Sequence, residues 1–189
     1  MQPATDESVL HQRLEEISGC ASQAIEEVRE ITHALRPYQL DRLGLTQAIR
    51  ATVNRAAENS SILFASHADD VDGLFDKESE IHVFRIVQEA VSNILKHSAA
   101  TEAAVVEKRL DSVVSLSIRD NGRGFDAGAI HATGSHDVGH GINGINERVR
   151  ILGGTLLIDS RPDQGTSLSI EIPVGVPKHE TRSEAVNRG

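Results

Sequence analysis

Two glycine-rich stretches of this sequence carry polar residues that could bind an anionic ligand. One spans Asp120–Phe125 and the other spans Gly139–Gly144. Backbone amides in glycine-rich turns can converge on a phosphate-like group, and the N-terminus of a helix adds a favourable dipole. The first stretch follows an alternating apolar run and the second opens a helical pattern, so together they predict a nucleotide site.

Asp120 and the two glycines that follow it could recognise a base. A carboxylate accepts a hydrogen bond from an exocyclic amine, and Gly122 and Gly124 would let a flat ring approach the backbone. The pattern Asp-x-Gly-x-Gly also describes an ordinary tight acidic turn, so by itself it leaves both interpretations open.

A second polar group precedes these turns in the chain. Glu89, Asn93 and Lys96 recur at spacings of four and three, which places them on one face of a helix, and His97 lies beside them. The spacing alone favours a solvated face that carries an ordinary Glu–Lys pair.

Periodic apolar residues predict the helices that would position these groups. Spacings of three and four predict helices over residues 7–35 and 45–59, and a third helix capped by Asp76 or Ser79. The inward residues predicted for the third helix are Ile81, Phe84, Val87, Ala90, Val91, Ile94 and Leu95. Pro37 ends the first helix, and Tyr38–Gly44 is predicted to link it to a globular domain. The first helix has a narrow apolar stripe and needs a partner helix, which a second copy could supply.

Alternating apolar residues predict the strands. They lie at residues 61–66, 102–109, 113–119, 155–160 and 166–173, and the second and third form an antiparallel hairpin. Residues 127–138 are predicted to be a loop over the site, and a short helix follows the turn at Gly139–Gly144. The polar residues after Val174 are expected to be disordered.

The composition limits the partners. A formal net charge of −9 opposes nonspecific binding to nucleic acid or to an anionic membrane. The single cysteine, Cys20, excludes an intrachain disulfide. No apolar run approaches the ~18 residues that cross a bilayer, so we expect a cytoplasmic protein without direct membrane contact.

Four motifs occur in a fixed order: Gln88–His97, Asp120–Phe125, Gly139–Ile142 and Gly165-Thr166. This combination resembles the N box, the two glycine boxes and the closing Gly-Thr of bacterial two-component sensor histidine kinases, in the subclass of NarX, DesK and LiaS. Their ATP-binding domain belongs to the superfamily shared by gyrase, Hsp90 and MutL. The resemblance implies a Bergerat-type α+β fold, a two-layer sandwich of helices on a mixed, mostly antiparallel sheet, preceded by a long amphipathic helix.

The resemblance also implies roles for the matching residues. Asp120 would take the adenine amino group, Gly122 and Gly124 would shape the purine pocket, and Thr166 would support it. Asn93 and Glu89 would bind Mg²⁺ and its waters, because Mg²⁺ prefers oxygen ligands. Lys96 and His97 would contact the phosphates, and Glu89, Asn93 and Lys96 would be the catalytic residues. Amides of the second glycine turn would cradle the phosphates, and its matching residues are Gly139, His140, Gly141, Ile142 and Gly144.

The first helix resembles the second helix of the family's dimerisation and phosphotransfer hairpin. We therefore expect residues 1–43 to be a partial hairpin and linker, 44–173 the ATP-binding catalytic domain and 174–189 a tail. The family's helix with the phosphorylated histidine has no counterpart, since His11 and His33 do not match its pattern. We expect a C-terminal fragment of a longer sensor that does not phosphorylate itself.

The expected cofactors are ATP and Mg²⁺. The expected partners are a cognate response regulator and a helix that carries the phosphoacceptor histidine, within a full-length homodimer. Two alternatives remain. One is a stand-alone serine kinase or anti-sigma regulator of the same superfamily, which the Leu35-Arg36-Pro37 helix disfavours. The other is a non-catalytic module whose ATP site only gates its conformation.

Overall fold

The computed structural model describes residues 37–126 and 136–175. Chain contacts divide the protein into two units, Met1–Tyr38 and Gln39–Gly189, and the architecture below concerns the second. The helix predicted over residues 7–35, most of the loop predicted over 127–138 and the tail beyond residue 175 lie outside the described residues. In the described part of the chain, no helix combines the length and apolar character needed to cross a membrane.

Within the described residues, five strands form one mixed sheet. They are β1 (Leu63–Ala68), β2 (Glu102–Arg109), β3 (Val113–Asp120), β4 (Thr155–Ser160) and β5 (Thr166–Pro173). Their order in the sheet is β1-β2-β3-β5-β4. The pair β1–β2 is parallel and the other neighbouring pairs are antiparallel. The predicted hairpin of β2 and β3 is thus confirmed, and the first strand lies two residues later than predicted.

The helices are α1 (Tyr38–Glu58), α2 (Lys77–Asn93) and α3 (His136–Ile151), and a π-helical turn, Ile94–Ser98, continues α2. Their buried residues join the inward side chains of the strands in one core. This arrangement confirms the expected two-layer α+β sandwich. Each fully buried aliphatic side chain in such a core contributes about 1.5–3 kcal/mol to folding.

The core follows the periodicity of each element. On α1, Leu45, Ile49 and Val53 are buried at spacings of four, as a helix that rests on a sheet requires. On the central strand β3, alternate residues point inward, and they are Val114, Leu116 and Ile118. The N-cap of α2 is confirmed at Asp76, whose side chain accepts a hydrogen bond from the Ser79 amide at 2.7 Å.

Two predictions about helices are wrong. The segment Tyr38–Gly44 is not a simple linker, because it is the first part of α1 and its Leu40 is buried in the core. Gly44 breaks the helix with φ 76° and ψ 172°. Leu95 does not point inward. It is 42% exposed, because the π-helical turn rotates the residues that follow Asn93 relative to α-helical geometry.

The predicted division into residues 1–43, 44–173 and 174–189 remains a prediction. The break at Gly44 coincides with the first predicted boundary, whereas the chain contacts separate the two units at Tyr38.

Candidate functional site

Asp120 ends β3 beside the start of β5. In the sheet it lies opposite Thr166 of β5 and Ala103 of β2. Its Oδ1 accepts a hydrogen bond from the Gly122 amide at 2.8 Å. Burial raises the pKa of this carboxyl above its ordinary value, and hydrogen bonds from the backbone of Gly122 and Thr166 oppose that shift. A half-buried carboxylate held in this way can accept a hydrogen bond from a planar amine.

Gly122 and Gly124 lie where the backbone packs too closely for a side chain. A Cβ on Gly122 would collide with the carbonyl oxygen of Ser98, the last residue of the π-helical turn. Gly124 has φ 55°, and a Cβ there would collide with the carbonyl oxygen of Arg161. The first glycine motif therefore packs closely between the end of the π-helical turn and the β4–β5 turn.

The Ser160 hydroxyl joins three parts of this region. It accepts a hydrogen bond from the Phe125 amide at 2.9 Å and donates one to the Gly165 carbonyl at 3.0 Å. It also lies 3.2 Å from the Thr166 hydroxyl. Ser160 is buried, and its contacts help to position Thr166, which lies opposite Asp120 in the sheet.

Glu89 and Asn93 lie together on α2 and meet the second glycine motif. A Cβ on Gly141 of α3 would lie 2.6 Å from Glu89 Oε1 and 2.9 Å from Asn93 Oδ1. Gly141 therefore lies directly against the ends of these two polar side chains. The carboxylate and the amide oxygen therefore share one side of the α2–α3 contact.

The π-helical turn connects this pair to the first glycine motif. The Ser98 carbonyl at its end accepts a hydrogen bond from the Arg123 amide at 2.7 Å. The next residue, Ala99, has the left-handed conformation with φ 52°. Lys96 and His97 lie on the turn with exposed side chains, so their proposed contacts with phosphate remain predictions.

The second glycine motif is not the predicted turn. Helix α3 begins at His136, so Gly139, His140, Gly141, Ile142 and Gly144 all lie inside it. An α-helix leaves only its first four amides without an internal partner, and of these residues only Gly139 falls in that first turn. Ile142 is buried in the core. The predicted turn is thus replaced by helix, and the contact of amides of residues 139–144 with the phosphates remains a prediction.

Two residues of the site were absent from the sequence-based prediction. The register of the β4–β5 hairpin places Ser160 opposite Thr166, so the predicted strands could have indicated Ser160. Arg148 donates a hydrogen bond from Nη1 to the Gly144 carbonyl at 2.6 Å. The sequence could have indicated Arg148 because it lies four residues after Gly144, on the same face of a helix.

Known proteins resemble this chain in sequence and in fold. Residues 78–176 match the family described as histidine kinase-, DNA gyrase B-, and HSP90-like ATPase. The chain belongs to this family.

Two relatives in this ATPase family are named as sensor kinases. The oxygen sensor histidine kinase NreB of Staphylococcus carnosus is 32% identical over 169 residues, which cover 89% of this chain and 48% of NreB. The signal transduction histidine-protein kinase/phosphatase DegS of Brevibacillus brevis is 32% identical over 161 residues, 85% of this chain and 40% of DegS. The chain thus spans less than half the length of these curated relatives.

Solved structures share the fold of this ATPase-family chain. The histidine kinase domain of the blue-light-activated histidine kinase from Erythrobacter litoralis EL346 has a TM-score of 0.55 at 20% identity. The match covers 69% of this chain and 59% of the chain of that structure. The ATP-binding domain of PrrB from Mycobacterium tuberculosis has a TM-score of 0.54 at 19% identity, and the match covers 70% of this chain and 95% of the PrrB chain.

Proposed function

We propose that this protein is the ATP- and Mg²⁺-binding catalytic part of a two-component sensor histidine kinase. It would donate the γ-phosphoryl group of ATP to a histidine on a dimerisation helix, for onward transfer to a response regulator. The relatives named as histidine kinases match 85–89% of this chain, which supports the proposal. The observation that carries it is that one continuous segment meets both glycine motifs. Ser98 of the π-helical turn meets the first, and Glu89 and Asn93 of α2 meet the second.

The residues at the α2–α3 contact fit Mg²⁺. Glu89 and Asn93 supply a carboxylate and an amide oxygen beside Gly141, and Mg²⁺ binds oxygen ligands while it retains several waters. When bound, the ion would supply positive charge that neutralises the phosphates. Asn93 would coordinate it directly, and Glu89 would hold a metal-bound water.

At the other end of the site, Asp120 would accept a hydrogen bond from the adenine amino group. Thr166 and the glycines of the first motif would form the walls of the purine pocket. The acceptor histidine nitrogen forms the new bond to phosphorus as the bond to the β-phosphate oxygen breaks and ADP leaves. Because phosphoryl transfer depends mainly on positioning and charge neutralisation, the protein needs no covalent intermediate of its own.

The wider assignments belong to this proposal. Residues 1–43 would be a partial dimerisation hairpin and 44–173 the catalytic domain. The protein would act in the cytoplasm, with a homodimeric full-length sensor and a response regulator as partners.

The adenine pocket is tested by Asp120→Asn. The variant places an amide where a carboxylate should accept a hydrogen bond, and hydrogen bonds to charged groups contribute about 1.5–3 kcal/mol. We expect ADP affinity, measured by titration calorimetry, to fall roughly 10- to 150-fold. Asp111→Asn is the matched control, because Asp111 lies in the exposed turn at the opposite end of β3. Equal affinity of Asp120→Asn and the unchanged protein would overturn the adenine assignment.

The transfer step is tested by adding a protein that carries the phosphoacceptor helix. With ATP labelled at the γ-phosphate and Mg²⁺, we expect acid-labile, base-stable phosphate on the histidine of the added protein. The Asp120→Asn variant should transfer little, and Asp111→Asn should transfer as the unchanged protein does. Acid-stable phosphate on serine would instead favour a serine kinase, and nucleotide binding without any transfer would favour a non-catalytic module.

A further inference from the structure

The side chain of Asn121 joins the first glycine motif to the chain that enters β2. Its Oδ1 accepts hydrogen bonds from the Thr101 amide at 2.9 Å and from the Glu102 amide at 3.0 Å. Its Nδ2 donates to the Thr101 hydroxyl at 2.9 Å. One side chain thus makes three hydrogen bonds to two consecutive residues that lie 20 and 19 positions earlier in the chain.

The backbone adds two hydrogen bonds to the same contact. The Asn121 amide donates to the Glu102 carbonyl at 3.2 Å, and the Arg123 amide donates to the Ser98 carbonyl at 2.7 Å. A Cβ on Gly122 would collide with that Ser98 carbonyl oxygen, so the two backbones lie in direct contact. The first glycine motif therefore holds both ends of the connection between the π-helical turn and β2.

The position of Asp120 does not depend on this contact. Asp120 pairs with Ala103 of β2 on one side and with Thr166 of β5 on the other. Its Oδ1 also accepts a hydrogen bond from the Gly122 amide at 2.8 Å. The sheet thus fixes the residue proposed to recognise adenine, and the side chain of Asn121 links that fixed point to the connection before β2.

The connection leads back to the residues proposed for Mg²⁺. Glu89 and Asn93 belong to α2, and the π-helical turn continues that helix to Ser98. The Ser98 hydroxyl donates to the Ile94 carbonyl at 2.7 Å and accepts a hydrogen bond from the Ala100 amide at 3.0 Å. Because these bonds join the turn to the connection, a fixed connection also fixes the end of the helix that carries Asn93.

We propose that Asn121 is a positioning residue that sets the separation between the two ends of the nucleotide site. Its side chain holds the connection against the first glycine motif, so that Asn93 lies at the distance from Asp120 that a bound nucleotide spans. This inference rests on the proposed function, because that function assigns Asp120 to adenine and Asn93 to the metal.

The physical basis is that a ligand bound at both ends needs both ends in place at the same time. A ligand that contacts one end is indifferent to the separation, whereas a ligand that spans the site loses affinity when the protein must be ordered on binding. One neutral hydrogen bond is equivalent to about 2- to 12-fold in an equilibrium constant. Asn121 is exposed, so water weakens each of its bonds, and the low end of this range applies to each of the three.

The test compares ADP with adenosine at one fixed Mg²⁺ concentration, each followed by NMR titration. Asn121→Ala removes the three side-chain hydrogen bonds. We expect affinity for ADP to fall about 10-fold, while affinity for adenosine, which contacts only the adenine end, changes less than about 2-fold. Asn121→Asp keeps an acceptor for the two amides and should restore most of the ADP affinity. Asn54→Ala, at an exposed position of α1, is the matched control and should bind both ligands as the unchanged protein does.

Thr101→Val tests the same link with a smaller change. Valine keeps the branched shape of threonine and removes the hydroxyl that accepts from Asn121 Nδ2. We expect affinity for ADP to fall about 2- to 5-fold and affinity for adenosine to stay constant. A general structural defect would instead weaken both ligands by the same factor. That equal loss in Asn121→Ala would overturn the inference, and if Asn121→Ala fails to fold, the same comparison in Thr101→Val decides.

The outcomes separate this inference from the proposed function. If the unchanged protein binds both ligands and Asn121→Ala binds them as Asn54→Ala does, the positioning role is overturned and the proposed function stands. If the unchanged protein binds neither ligand, both are overturned. A selective loss of ADP affinity in Asn121→Ala, restored in Asn121→Asp, supports both.

Discussion

Three carboxyl groups in this protein show how the local environment decides what one chemical group does. Asp120 and Asp72 each accept a hydrogen bond from a backbone amide, that of Gly122 at 2.8 Å and that of Thr46 at 2.9 Å. Within the described part of the chain, neither oxygen of the fully buried Glu107 has a hydrogen-bond partner. Amide donors stabilise an ionised carboxylate, whereas burial without them favours the neutral acid. Asp120 is thus suited to bind a ligand, and Glu107 is suited to hold a proton.

The polar residues of the site differ in how far the sequence could predict them. The position of Asp120, Gly122 and Gly124 at the end of β3 was predictable because they follow a strand pattern directly, whereas their roles in binding remain predictions. Ser160 acts through a hydrogen bond to Phe125, 35 residues away in the chain. The predicted strands could place Ser160 opposite Thr166. No local pattern predicts its hydrogen bond to the distant Phe125, so that part of its role depends on tertiary structure.

At the scale of elements, α1 restarts after Gly44 with a cap supplied by the β1–α2 connection. Asp72 Oδ1 accepts a hydrogen bond from the Thr46 amide at 2.9 Å, and Thr46 Oγ1 accepts one from the Val71 amide at 3.1 Å. The carboxylate lies at the positive end of the second helical segment, where the helix dipole favours negative charge. The connection and α1 therefore stabilise each other.

Asp72→Ala should destabilise the fold through the loss of this cap. Removal of a side chain that caps a helix costs about 0.5–2 kcal/mol, so the urea midpoint should fall while the slope of the unfolding transition stays constant. Asp111→Ala in the exposed β2–β3 turn is the control and should change the free energy of unfolding by less than about 0.5 kcal/mol. An unchanged midpoint for Asp72→Ala would contradict the capping role.

The strands were predictable to within about two residues, as were the start of α2 and the end of α1, whereas the π-helical turn and the start of α3 were not. Strands β4 and β5 have the predicted bounds, because apolar alternation is bounded by Gly154 and by the Pro162–Gly165 turn. The π-helical turn at Ile94–Ser98 was missed, since the same apolar spacing suits an α-helix. The start of α3 was misplaced because glycine favours turns in isolation. In the structure, Gly141 lies inside the helix, against the side chains of Glu89 and Asn93.

At the scale of the whole molecule, the carboxyl groups of Asp120 and Glu107 are separated along the β2–β3 ladder of the sheet. In the β2–β3 ladder Ala103 pairs with Asp120, and Glu107 pairs with Leu116. Four residues along a strand correspond to about 13 Å, so Glu107 lies towards the opposite end of β2 from Asp120. A change at Glu107 should therefore alter the stability of the whole domain without direct contact with the proposed adenine pocket.

Glu107 should make the stability of the domain fall as pH rises. Burial raises the pKa of Glu107 from an ordinary 4.5 to about 8, the carboxylates of Asp72 and Asp69 add to the shift, and Arg50 opposes it. Between these values the folded protein keeps a proton that the unfolded chain has lost, so the free energy of unfolding decreases by up to about 1.4 kcal/mol per pH unit. Glu107→Gln has no such proton to lose. We expect the free energy of unfolding of Glu107→Gln, measured with urea, to increase relative to that of the unchanged protein between pH 5 and 8. Glu102→Gln, at an exposed position on the same strand, should show the same pH dependence as the unchanged protein. Parallel pH curves for the unchanged protein and Glu107→Gln would show that Glu107 is ionised in the folded state throughout this range.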